Sequence, residues 1–151
     1  MSKQRQYLVI HCTATPEGRE ITADQIREWH TAPKPKGNGW KQVGYTHMIH
    51  IDGRVEQLVP NNGDEYVDNW EITNGVAGVN SVSQHIVYVG GVDKTGKPKD
   101  TRTWHQLRAM ENFVKEHVRK FPTEKVVGHN YFANKACPSF NVATWLQQIE
   151  L

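Results

Sequence analysis

A chain of 151 residues, 37% hydrophobic and 23% charged, is long enough to bury one core and too ordinary in composition to be disordered or fibrous. A net charge of +2 with acids and bases interspersed gives no nucleic-acid footprint, and no apolar run approaches the ~20 residues of a membrane span. With two cysteines and no hydrophobic leader, Cys12 and Cys137 suggest a metal or structural role before a disulfide.

Tyr7-Leu-Val-Ile-His-Cys12 is an unbroken β-rich run and predicts a buried first strand. Thr22 answered by Gln25 forms a capping box, with Ile21 and Ile26 at the staple positions around it. A helix over 22–30 follows, ending before Pro33 and Pro35. Residues 33–44, PKPKGNGWKQVG, read as a basic loop. Asp52-Gly53 predicts a hairpin joining strands at 46–51 and 54–59.

Residues 60–83 are rich in Asn and Gly with little periodicity, which marks a long loop of the kind kept for binding. Residues 85–89 read as a central strand closed by Gly90-Gly91, and 93–101 as a polar loop. A second capping box, Thr103 with Gln106, opens a helix carrying Trp104, Leu107, Met110, Val114, Val118 and Phe121 on one face. Residues 125–128 suggest a short strand. Val142, Trp145, Leu146 and Ile149 suggest a closing helix capped by Asn141 or Ser139. Strands interleaved with helices predict a single α/β domain over 1–151, with a central mixed β-sheet flanked by helices. The sheet must be mixed because the hairpin is antiparallel.

Eight histidines are many for this length and direct attention to metal chemistry. Zinc takes nitrogen and sulfur ligands, and a catalytic site leaves one position open. His129 and Cys137 lie on one segment, GHNYFANKACPSF, and need a third ligand from another rigid element. His11, ending the first strand, is the best candidate. Alternation along that strand sends the Cys12 side chain to the opposite face, into the core. On spacing alone, a buried histidine with an inert cysteine is the stronger reading.

Three runs occur in order: Ile10-His-Cys-Thr-Ala-Thr15, Val43-Gly-Tyr-Thr-His-Met-Ile49 with Asp52-Gly53, and Gly128-His129 with Lys135-Ala-Cys-Pro-Ser-Phe140. Together they resemble the zinc-dependent N-acetylmuramoyl-L-alanine amidases of the peptidoglycan-recognition-protein fold, especially the phage lysozyme-type enzymes. The resemblance spans about residues 7–148. It implies Zn²⁺ as cofactor, held by His11, His129 and Cys137, with Tyr45 and Lys135 as catalytic residues. The implied reaction is hydrolysis of the amide between N-acetylmuramic acid and L-alanine in peptidoglycan, in cell-wall lysis or turnover, as in a phage or prophage endolysin. Some members of the fold bind muropeptides without cutting them, so a non-catalytic binding module is the alternative.

Many relatives carry a histidine in the loop before the central strand, near Gly and Asn residues that hold substrate. This chain has Thr73-Asn-Gly-Val-Ala-Gly-Val-Asn80 there, so Asn74 and Asn80 become the candidate substrate contacts. Gln84-His85 stands where relatives show small or apolar residues. His85, like His30, His47, His50, His105 and His117, reads as structural or surface. The expected partner is peptidoglycan or a muropeptide, with no nucleic acid and no membrane, for a monomer. Without a signal peptide the protein is expected to be cytoplasmic as made, acting on the wall after release or on muropeptides inside the cell.

Overall fold

The computed structural model describes residues 2–151. Its centre is a sheet of β1 (Tyr7–Cys12), β2 (His47–Ile49), β3 (Val55–Gln57), β4 (Ser83–Tyr88) and β5 (Lys125–Gly128). The spatial order is β3-β2-β4-β1-β5. β1 runs parallel to both β4 and β5, and β2 runs parallel to β4. Only β3 is antiparallel, as the partner of β2 across the hairpin. The mixed sheet expected from the sequence is therefore present, with its antiparallel strand at one edge.

β1 is buried almost throughout because it has strands on both sides and helices on both faces. Leu8, Ile10 and Cys12 meet Ile86 and Tyr88 of β4 in a cluster with Met110, Val114, Val142 and Trp145. Those last four come from α2 (Trp104–Lys120) and α3 (Val142–Gln148), which cover that face. α1 (Ala23–Thr31) covers the other face, where Ile26 packs with Met48, Val87 and Val89. The period of two along β1 leaves His11 on the α1 side and Cys12 in the opposite core.

Both capping boxes form. Thr22 accepts the Gln25 N–H at 3.1 Å and returns its own N–H to Gln25 Oε1 at 2.9 Å. Thr103 and Gln106 repeat the pattern, and Asn141 caps α3 by accepting the Thr144 N–H. The buried face of α2 differs from the expected one. Trp104, at the first helical position, is 67% exposed, while Gln106 and His117 turn inward. Gln106 Nε2 donates to the carbonyls of Val89 (2.9 Å), just past β4, and Ile49 (3.3 Å), the last residue of β2. His117 Nε2 meets Glu124, itself paired with Arg5. Burial of these polar side chains is tolerated because each finds a partner.

The hairpin strands are shorter than expected, since the turn around Asp52-Gly53 takes in residues from both sides. The 60–83 segment is organised by the buried Glu71, whose carboxylate accepts the N–H groups of Asn62 and Asp68 at 2.9 Å each. Its Tyr66–Val67 pairs with Lys3–Gln4. Among the described residues no helix is long and apolar enough to cross a membrane.

Candidate metal centre

Three elements converge on the α1 side of the sheet, at the carboxyl ends of β1 and β5. His11 is the next-to-last residue of β1 and is 1% exposed. His129 follows the last residue of β5, in a short 3-10 turn that runs to Tyr131. Cys137 lies on the loop beyond that turn, closed by the Asn130 N–H donating to the Cys137 carbonyl at 2.9 Å. Tyr88 Oη donates to the Pro138 carbonyl and Ser139 Oγ to the Gly91 carbonyl, both at 2.7 Å, fastening the loop to the sheet.

The ligand atoms of His11, His129 and Cys137 all lie within 4.8 Å of one another, a set able to coordinate a metal ion. Cys137 Sγ is 3.9 Å from His11 Nδ1 and accepts the Cys12 backbone N–H at 3.2 Å. The His11 and His129 ring centres are 4.8 Å apart. Burial, then the neighbouring His85, lowers His11 well below the ordinary histidine range. Burial and Lys135 lower His129. Both imidazoles are thus neutral, the form that binds metal.

Cys137 is the strained member. The Cys12 thiol beside it and its burial push it up, opposed only by the Cys12 backbone N–H and Lys135. A cation among these atoms would reverse that balance, because a coordinating thiol is deprotonated outright. Two imidazoles and one thiolate, with no carboxylate, match a borderline-soft ion such as Zn²⁺ better than a hard one.

Tyr45 precedes β2 and stands beside the cluster, its ring centre 5.1 Å from that of His11. Burial, then Cys137 and Cys12, raises its phenol well above the ordinary value, so it keeps its proton. Lys135 is exposed, and its charge reaches the cluster, contributing to the lowered values of His11 and His129. The two asparagines engage their own loop. Asn74 Nδ2 donates to the Gln42 carbonyl at 2.8 Å. Asn80 Oδ1 accepts the Val76 N–H and faces His85 Nε2, both at 2.9 Å. The Asn80 oxygen is thus engaged by its own loop and by His85.

Two histidines read as structural or surface belong to this neighbourhood. His85 Nδ1 is 2.9 Å from His11 Nε2, and burial, then His129, pulls it down to about 3. His30 accepts the Gly44 N–H at 2.9 Å, and its ring stands between Trp40 and Tyr45, with centres at 4.9 and 5.2 Å. The available sequence clue for His85 was an imidazole directly preceding the apolar run Ile86-Val87-Tyr88 of a central strand, since a buried imidazole must find a partner.

A family model described as N-acetylmuramoyl-L-alanine amidase matches residues 1–140. The endolysin of Enterobacteria phage K11 is 33% identical over 142 residues, 94% of this chain and 85% of that protein. Among solved structures, the Ph2119 endolysin of Thermus scotoductus MAT2119 bacteriophage Ph2119 superposes with a TM-score of 0.73 at 25% identity. That match covers 97% of this chain and 85% of the other. Bumblebee PGRP-SA matches in fold, with a TM-score of 0.69 at 20% identity over 95% of this chain and 81% of its own.

Proposed function

The chain belongs to the N-acetylmuramoyl-L-alanine amidase family, and from that premise we propose that it works as a zinc enzyme, with His11, His129 and Cys137 holding the metal. It is a peptidoglycan-cleaving amidase. The observation that carries an enzyme over a binding module is the complete donor set, two neutral imidazoles and a thiol converging within 4.8 Å.

In the reaction, water adds to the lactyl carbonyl of the muramoyl group, the C–N bond breaks, and the amine of L-alanine leaves with a proton. Zn²⁺ bound here would supply Lewis-acid polarisation of that carbonyl and acidify the attacking water. Lys135 brings a mobile ammonium with three donors to the rim, suited to the negative charge that develops on the carbonyl oxygen. Tyr45, held neutral by burial, is suited to donate a hydrogen bond to the same oxygen rather than to act as a base. His30, packed against the Tyr45 ring, limits where that phenol can point.

The endolysin relative supports action on intact wall over recycling of soluble fragments. Digestion of purified sacculi beside a soluble anhydro-muropeptide tests both levels of the reading. New N-terminal alanine must appear, and faster from sacculi if the role is lytic. Reducing sugar ends in its place would mean glycosidic cleavage and would overturn the amidase assignment.

A further inference from the structure

Resting on the reading of His11 as a metal ligand, we propose that Asn80 and His85 are positioning residues that fix His11 in the tautomer whose bare Nδ1 faces the metal. The hydrogen bonds can be assigned from one end. The Val76 backbone N–H can only donate, so the Asn80 atom it meets at 2.9 Å is the carboxamide oxygen. That oxygen lies 2.9 Å from His85 Nε2, which therefore carries the proton. A neutral imidazole has one N–H, so His85 Nδ1 is bare and accepts. His11 Nε2, 2.9 Å away, is then the donor. His11 Nδ1 is left bare on the side facing Cys137 Sγ.

The relay runs from a backbone amide through two side chains to a ligand lone pair. His85 is 0% exposed, so no water can replace either of its partners. Without an acceptor at Nε2, the His11 proton is free to move to Nδ1 and block coordination. Outer partners of this kind hold ligand orientation and basicity in metal sites, and losing one typically weakens metal binding 10–100-fold.

Nitrogen-15 NMR of the metal-free protein reads the tautomers directly. His11 and His85 should each show a protonated Nε2 and a bare Nδ1; a His11 protonated on Nδ1 overturns the relay. Zinc affinity, measured by competition with a chromophoric chelator, gives the second arm. His85→Phe fills the ring's space without an acceptor and should bind zinc roughly 10–100-fold more weakly. His85→Gln, whose amide oxygen can accept from His11 Nε2 while its NH₂ donates to Asn80, should recover most of that loss.

Wild-type zinc affinity in His85→Phe, with zinc binding abolished in His11→Ala, refutes the relay alone. Zinc retained in His11→Ala refutes the ligand assignment itself and the relay with it. If His85→Phe does not fold, the wild-type tautomers and the His85→Gln affinity still decide.

Discussion

Replacing Gly75 with alanine should drive His85 out of the place it holds beside His11. An added Cβ would stand 2.5 Å from His85 Cγ and 2.6 Å from Cε1, and closer still to Nδ1. Ordinary contact begins near 3.4 Å, so the methyl and the ring cannot coexist. The ring cannot shift cheaply either, being fully buried and bonded at both nitrogens. Overpacking of this kind costs about 1–3 kcal/mol. A broken hydrogen bond between His85 and His11 adds about 1 kcal/mol more. The expected destabilisation of Gly75→Ala is therefore about 2–4 kcal/mol.

His85→Ala alone should cost a similar amount, through the cavity and the orphaned His11 Nε2. In the double variant the new methyl enters the space the ring has left, so the pair should be hardly worse than His85→Ala. Urea unfolding of the chelator-treated proteins measures the cycle, with unchanged m-values as the check on two-state behaviour. A coupling of nearly the whole Gly75→Ala cost, about 2–4 kcal/mol, is expected between the sites, as large as any between residues in contact. Additivity to within about 0.5 kcal/mol would refute the steric argument, because independent sites add to that accuracy.

Cys137→Ser should lose the roughly one zinc per chain expected of the wild type, and hydrolysis with it; metal analysis after dialysis checks the first point. Lys135→Ala should keep zinc but lower kcat by about 10²–10³, the usual cost of removing one oxyanion donor. Loss of metal there would show a ligand-supporting role instead. Stability of the metal-free protein should fall as the pH drops below about 6.5, the unfolded histidine value. Burial holds His47 down at about 4 and His85 at about 3, so the unfolded chain takes up protons that the folded one refuses. Each contributes up to about 1.4 kcal/mol per pH unit until its folded value is reached. His47→Gln, remote from the ligands, should flatten the urea-midpoint profile between pH 7 and 5 by about one proton; an unchanged slope would contradict the assignment of a neutral His47.

What was legible in the sequence was local. The run from Tyr7 to Cys12 is apolar on both faces because both are covered, and each helix start carries its own reciprocal cap. Alternation sends Cys12 to the core and leaves His11 on the other face, and it does so whatever the fold. His85 shows where that reasoning stops. Its contact with His11 depends on the parallel register that sets His85 opposite Val9, and no local pattern encodes which strands pair or how far they slide. Trp104 shows the same limit from the other side: helical periodicity allowed it the buried stripe, but it is 67% exposed, and Gln106 fills the inward position in that turn by donating to the carbonyls of Ile49 and Val89. The contact between Asn80 and His85 is hidden in the same way, since the sequence of a loop does not show which strand side chain its asparagine will meet.

The two faces of β1 are nonetheless tied to one centre. Cys12 packs its side chain in the α2/α3 core, where its thiol lies beside Cys137 and opposes ionisation, yet its backbone N–H points at Cys137 Sγ and is one of the few groups favouring a thiolate there. The loop bearing that sulfur is anchored through Pro138 to the hydroxyl of Tyr88, a residue of the α2/α3 core and the register partner of Cys12. The position of the sulfur ligand is therefore set by packing in the α2/α3 core, on the face opposite His11. That is the physical reason a small domain can hold three donors within 4.8 Å although two of them sit on loops. The rigid reference is the paired ends of two buried strands: β1 supplies a ligand in His11 and a backbone donor in Cys12, and β4 supplies the anchor in Tyr88.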